Sequence, residues 1–107
     1  MLPSRRLLQH ASKITLFTRA NCSLCDSAKR VLSDVWDQRP FEYTEIDVME
    51  PGKEKWKIYE FDTPVIHVDK FRPGEETTTG AVLKLMHRFK EAEVKSLMDE
   101  AEEDKNP

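Results

Sequence analysis

The sequence predicts one α/β domain built on a four-stranded mixed sheet that is flanked by about three helices. Two observations carry this prediction. The chain has 107 residues, a length typical of one compact domain. Its apolar residues also switch several times between the period of a strand and the period of a helix. Alternating strand and helix segments favour a parallel strand pair joined by a crossover helix.

The first strand and the first helix have the clearest patterns. Residues 14–18 form a β-branched and aromatic run, which is typical of a buried strand, and polar residues follow it. From residue 24 the apolar positions instead follow the spacing of one helical face, at Leu24, Ala28, Val31, Leu32 and Val35. We expect this helix to end near Trp36, ahead of the Arg39-Pro40 pair.

The middle of the chain predicts a second strand and a short second helix. Residues 41–48 are strand-like, although their alternation slips by one position. The Pro51-Gly52 pair then opens a segment whose Trp56, Tyr59 and Phe61 are expected to line a short helix.

The last third contains the most ambiguous segment. Residues 63–68 predict a third strand opened by Pro64, and residues 69–81 predict a mobile loop, because they are rich in Pro, Gly, Thr and Glu and have no period. Residues 82–89 fit a strand and a helix equally well; we favour a strand, since it would pair with the third strand. A final helix is indicated by an apolar stripe at Val94, Leu97, Met98 and Ala101.

Composition excludes several classes of partner. Of the residues, 38% are hydrophobic and 35% are charged, and no apolar run approaches the ~20 residues of a membrane span. The formal net charge is -3 and no basic stripe is present, so neither a membrane nor a nucleic acid is expected as a partner. We expect a monomer.

The termini are assigned separately from the domain. Residues 1–12 are basic and contain no acidic residue, which resembles a short mitochondrial presequence; a frayed basic arm is the alternative. The predicted location is therefore mitochondrial or cytoplasmic. Residues 13–104 form the predicted domain, and residues 105–107 form a tail.

The only two cysteines lie in one Cys22-Ser23-Leu24-Cys25 segment. A disulfide between them closes almost no chain and stabilises little, so redox exchange or metal binding explains the spacing better. A helix start and a nearby cation lower the pKa of a thiol from about 8.5 toward the range of about 3.5–7.5. Cys22 stands at the predicted helix start, three residues after Arg19. We therefore predict Cys22 as the nucleophile and Cys25 as the resolving thiol.

The cysteine pair has two other interpretations. Structural zinc needs four ligands, but His10, His67 and His87 are scattered singly along the chain, so no metal ligand is predicted. A pair of inert buried thiols is the second alternative.

The order of elements around this motif resembles the glutaredoxin-like form of the thioredoxin fold, from about residue 13 to residue 104. The resemblance rests on residues 17–25, which place the two cysteines after a strand and at a helix start, and on Pro64 at the third strand. It implies a cis-proline at Pro64 that faces the dithiol. It also implies that Arg19, Thr63 and Pro64 bind the substrate, with no bound cofactor and with glutathione as a possible co-substrate.

The sequence departs from glutaredoxins at the glutathione site. Glutaredoxins commonly hold glutathione with a Gly-Gly pair after the last strand, but this chain has residues 86–89, Met-His-Arg-Phe, instead. Ser23-Leu24 also replaces the usual Pro-Tyr spacer. Arg88 and the Thr77-Thr78-Thr79 loop are candidates for holding a carboxylate, with an ordinary solvated surface as the alternative, and we expect weak use of glutathione.

The sequence therefore predicts a thiol–disulfide oxidoreductase. Its partners would be a disulfide-containing protein or a glutathione mixed disulfide, together with a thiol reductant. The alternative is a non-catalytic binding module that keeps the fold and holds a metal or an iron–sulfur cluster between subunits.

Overall fold

The computed structural model describes residues 11–72, 78 and 83–103. The predicted α/β architecture is confirmed. The elements are β1 (Ser12–Thr18), α1 (Ser23–Gln38), β2 (Glu42–Asp47), a 3-10 helix (Glu54–Tyr59), β3 (Val65–Lys70), β4 (Leu83–Met86) and α2 (Glu91–Glu102). No helix in these parts of the chain has the length and apolar character needed to cross a bilayer. Most of the predicted basic arm, the tail and most of the predicted loop lie outside the described residues.

The four strands form one mixed sheet in the order β2-β1-β3-β4. β1 runs parallel to β2 and antiparallel to β3, and β3 is antiparallel to β4. All seven residues of β1 are buried, because this strand is paired on both edges and covered on both faces. Within the ambiguous segment at residues 82–89, β4 covers Leu83–Met86, so the prediction of a strand is confirmed for these four residues, whereas residues 87–89 are not part of it.

Alternate residues of β1 supply two separate hydrophobic clusters. Ile14 and Leu16 face α1 and α2 and pack with residues that include Val35, Val94 and Met98. Phe17 faces the opposite side, where it packs with Trp56 and Tyr59 of the 3-10 helix and with Val48 and Val65. Each fully buried side chain of this size contributes about 1.5–3 kcal/mol of transfer free energy, so hydrophobic burial stabilises the packing on both faces of the sheet.

Arg39 joins the C-terminal end of α1 to α2. Its guanidinium forms ion pairs with Asp99 and Glu102, each at 2.8 Å. At the other end of α2, the Glu93 carboxylate accepts the backbone N–H of Lys90 at 2.8 Å, which caps the first turn. The two Arg39 ion pairs fix α2 against the helix that carries the two cysteines.

The structure corrects two of the sequence predictions. β3 begins at Val65 and continues to Lys70, two residues into the predicted loop, because Asp69 and Lys70 pair with the first residues of the long central strand β1. Phe61 was expected to line the second helix with Trp56 and Tyr59, but it lies beyond that helix with 85% of its surface exposed.

A chain of hydrogen bonds crosses the face of the sheet beneath the 3-10 helix. Lys84 Nζ donates to the Tyr59 hydroxyl at 3.3 Å, and that hydroxyl lies 2.7 Å from Nε2 of His67, which is fully buried. His67 Nδ1 lies 3.0 Å from the Thr78 hydroxyl, which donates to Asp69 at 2.9 Å. The cation at one end and the carboxylate at the other assign the direction of the donors, so His67 donates through Nδ1 and accepts at Nε2 as a neutral ring.

Candidate active site

Cys22 and Cys25 occupy the start of α1 and form a disulfide. Cys22 is the N-cap residue, with extended backbone angles, and Cys25 lies in the first turn. The preceding residue, Asn21, has a φ of 59°, a left-handed conformation that asparagine tolerates, and it turns the chain from β1 into the helix. Cys22 is half-buried, whereas only 1% of Cys25 is exposed. The two sulfurs therefore differ in their access to solvent.

The Cys22 sulfur accepts one backbone N–H at the start of the helix. The backbone N–H of Cys25 donates to Cys22 Sγ at 3.1 Å. The N–H of Asp26 donates to the Cys22 carbonyl at 3.3 Å. Donors and the positive end of the helix dipole favour negative charge at this position. A reduced Cys22 is thus placed where a thiolate is stabilised.

Thr63 lies opposite the dithiol, on the segment that leads through Pro64 into β3. The peptide bond between them is cis, as the resemblance implied. The Thr63 hydroxyl lies 3.9 Å from Cys22 Sγ. The chain thus brings the predicted site residues of α1 and of the β3 start together, although they are 41 positions apart in sequence.

Arg19 contacts the turn that precedes Thr63. Its guanidinium donates to the Glu60 carbonyl at 2.7 Å and lies 5.9 Å from the centre of the Phe61 ring. These residues border an open groove of about 420 Å³, which is lined by Arg19, Ala20, Asn21, Cys22, Ser23, Leu24, Glu60, Phe61 and Thr63. Sequence reasoning missed Phe61 as part of this site. Its position five residues after Trp56, out of step with the three-residue spacing of Trp56 and Tyr59, was the available signal of exposure.

Replacing Arg19 with alanine is expected to slow alkylation of reduced Cys22 by iodoacetamide at pH 7 by about twofold to fivefold, the range for an exposed charge pair. The reason is that the guanidinium borders the same groove as the sulfur and favours the thiolate. The measurement is the alkylation rate of the Cys25→Ser protein with and without the Arg19 change. Arg19→Lys, which keeps the charge, serves as the control, and equal rates in all three proteins would contradict the electrostatic role.

The segment that replaces the Gly-Gly pair forms a backbone hydrogen bond with the residue that precedes β3. His87 has a φ of 65°, and its N–H donates to the Pro64 carbonyl at 2.7 Å. Its imidazole lies 3.8 Å from a carboxylate oxygen of Asp62. Thr78 was one candidate for holding a carboxylate, but its side chain is buried and is bonded to His67 and Asp69. Thr77 and Thr79 lie outside the described residues.

Metal ligands do not cluster in the described ranges. No group of three His, Cys, Asp or Glu side chains there is arranged to hold a metal ion. His67 is enclosed in the sheet and His87 lies at the surface, so neither adds a third ligand to the cysteine pair among those residues.

Comparisons with known proteins agree with the fold. Two thioredoxins have similar structures: thioredoxin 1 of Thermosipho africanus (TM-score 0.56, 18% identity, 82% of this chain and 91% of the other) and oxidised thioredoxin O2 of Arabidopsis thaliana (0.55, 17%, 84% and 74%). Protein XcR50 of X. campestris is also similar, with a TM-score of 0.58, 19% identity, and coverage of 82% and 97%.

At these identities the three solved structures show a shared thioredoxin-like fold. The sequence of residues 13–99 matches the family described as "Glutaredoxin-like domain (DUF836)". The match includes both cysteines, Arg19, Thr63, Pro64 and the segment that replaces the Gly-Gly pair. The chain therefore belongs to the glutaredoxin-like domain (DUF836) family.

Proposed function

We propose that the protein is a thiol–disulfide oxidoreductase that reduces disulfides of polypeptides. The Cys22 thiolate attacks one sulfur of the substrate disulfide, which forms a mixed disulfide and releases the first substrate thiolate. The Cys25 thiolate then attacks Cys22, releases the second substrate thiolate and leaves the Cys22–Cys25 disulfide. The substrate gains two electrons and the released thiolates take up two protons. A dithiol reductant returns the cysteine pair to its reduced form.

The proposal rests chiefly on the unequal placement of the two sulfurs. Cys22 borders an open groove and its sulfur accepts the backbone N–H of Cys25, while the Cys25 side chain is buried in the first turn. An attacking thiol needs access and thiolate character, and a resolving thiol needs proximity to the mixed disulfide. A disulfide with a structural role would close a long loop, but this one spans three positions.

The same geometry favours polypeptide disulfides over glutathione. Binding the tripeptide in one orientation takes a donor at each carboxylate, and each charge-assisted contact contributes about 1.5–3 kcal/mol. Arg19 borders the groove and is available to one carboxylate. In the segment that replaces the Gly-Gly pair, the His87 N–H is already donated to the Pro64 carbonyl. Loss of one contact of this size weakens binding by roughly tenfold to a hundredfold.

The test compares two redox couples under the same conditions. One assay follows reduction of a disulfide-linked peptide with dithiothreitol as the dithiol reductant. The other follows reduction of a glutathione mixed disulfide with glutathione as the reductant. We expect repeated turnover in the first assay. In the second assay we expect a kcat/KM that is lower than in the first by roughly tenfold to a hundredfold, because one charge-assisted contact to glutathione is missing.

Each possible result has a distinct meaning. Failure to exceed the uncatalysed rate in both assays contradicts the oxidoreductase. Equal efficiencies with both couples contradict the preference against glutathione. In that case Arg88→Ala identifies the residue that replaces the Gly-Gly contact, since a loss of glutathione turnover in this variant would assign the carboxylate to Arg88.

A further inference from the structure

Phe61 is a solvent-exposed apolar side chain beside the groove that contains Cys22. It has 85% of its surface exposed, the largest exposure among the large hydrophobic residues in the described ranges. It also borders the groove that contains Cys22. Contact between an exposed aromatic side chain and another apolar group is favourable, because it removes apolar surface from water.

The backbone that carries Phe61 is fixed rather than free. Phe61 lies in a turn closed by the Asp62 N–H, which donates to the Tyr59 carbonyl at 2.8 Å. Tyr59 anchors that turn, because its ring is buried in the cluster around Phe17. Arg19 braces the other side through its 2.7 Å bond to the Glu60 carbonyl. The position of Phe61 relative to the helix start is therefore set before any substrate binds.

A polypeptide disulfide has to enter this groove for one of its sulfurs to reach Cys22. The groove, of about 420 Å³, is bordered on one side by Ser23 and Leu24 at the start of α1 and on the other by Glu60, Phe61 and Thr63. Its volume lies within the range of ligand sites, so it accommodates more than the disulfide itself. A residue next to the substrate cysteine comes up against the Phe61 side of the groove.

We propose that Phe61 is a specificity-determining residue, which selects polypeptide disulfides that carry an apolar side chain next to the reactive cysteine. This inference rests on the proposed function and names its substrate class. The preference arises because the apolar neighbour and the Phe61 ring cover each other from water when the substrate binds. A polar neighbour gains no such contact.

The experiment uses two disulfide-linked peptides that differ only in the residue after the cysteine, leucine in one and serine in the other. We expect wild-type kcat/KM to be roughly tenfold higher for the leucine peptide, which corresponds to about 1.4 kcal/mol. In Phe61→Ala this ratio should fall to about one to twofold, mainly through a higher KM for the leucine peptide, because only a contact of about that energy is lost.

Ile58→Ala is the matched control. Ile58 is a second apolar side chain of the same segment with 72% of its surface exposed, but it is not among the residues that border the groove. This variant should keep the wild-type preference for the leucine peptide. Thermal unfolding of both variants checks that each is folded.

The outcomes separate this inference from the proposed function. Equal kcat/KM for the two peptides in the wild-type protein would overturn the role of Phe61 without any variant. A preference that survives in Phe61→Ala, or that is lost in Ile58→Ala to the same extent, would overturn it as well. If neither peptide is reduced above background, the oxidoreductase itself is wrong and the inference fails with it.

Discussion

Replacing Cys22 with serine is expected to abolish disulfide reduction, with a loss of at least about 100-fold and a rate at the uncatalysed background, as for other enzymes that lose their nucleophile. Cys25 cannot take over the attack, because only 1% of its surface is exposed while Cys22 borders the groove. The measurement is the initial rate of reduction of a disulfide-linked peptide in the presence of dithiothreitol.

Replacing Cys25 with serine is expected to give the complementary result. Attack by Cys22 still forms a mixed disulfide, but no second thiol resolves it. The protein therefore accumulates as a one-to-one adduct with one of the two peptides that the substrate disulfide had joined. Mass spectrometry under non-reducing conditions detects the adduct. Ser23→Ala, a change at the exposed residue after Cys22, controls for disturbance of the helix start.

The pair of variants also distinguishes a wrong assignment from a wrong function. Adduct formation by Cys22→Ser and its absence in Cys25→Ser would reverse the two roles. Wild-type turnover in Cys22→Ser would remove the dithiol mechanism altogether.

The parts of the fold that the sequence predicted best are those whose side chains are buried on one face. The helical spacing at residues 24–35 predicted α1, because Ala28, Leu32 and Val35 all pack against the sheet. Residues 82–89 have no decisive period, and β4 followed only from the argument that β3 needs a partner. That argument is sound, because the register pairs Val65 with Met86 and Val68 with Leu83.

Contacts between residues distant in the chain were beyond the reach of the sequence. Arg19 was predicted as a cation for the site from its place three residues before Cys22. Its bond to Glu60 joins residues 41 positions apart, and no local pattern indicates it. No local pattern indicates the contacts of His67 either, although its partners Tyr59 and Thr78 are closer in the sequence. Such pairings depend on how the sheet and the 3-10 helix pack.

His67 makes the stability of the fold depend on pH in acid. Burial lowers its pKa to about 4, from an ordinary value of 6.5, and the charge of Lys84 acts in the same direction. The hydrogen-bond chain has the same effect, since a neutral ring satisfies both Tyr59 and Thr78, whereas a second ring proton would face a hydroxyl that already donates. Protonation of His67 is therefore unfavourable in the folded state.

The free energy of unfolding is expected to fall by about 3 kcal/mol through His67 as the pH drops from about 6.5 to about 4. In this window the unfolded chain binds the proton and the folded chain does not, so acid favours unfolding. Above pH 6.5 the ring is neutral in both states, and this contribution no longer changes with pH. Denaturant titrations at pH 7, 5.5 and 4 measure the effect.

His67→Gln isolates the contribution of this ring from that of the carboxylates, which destabilise the wild type and the variant alike as they protonate. A glutamine amide accepts from Tyr59 and donates to Thr78 but does not titrate, so the free energy of unfolding of the variant should fall less steeply in acid. The difference in free energy of unfolding between wild type and variant should therefore shrink by about 3 kcal/mol between pH 7 and pH 4. His87→Asn is the matched control, since His87 is half-exposed and asparagine tolerates its left-handed backbone. This control should keep the wild-type slope. Equal slopes for wild type and His67→Gln would show that the buried ring takes up its proton without cost to the fold.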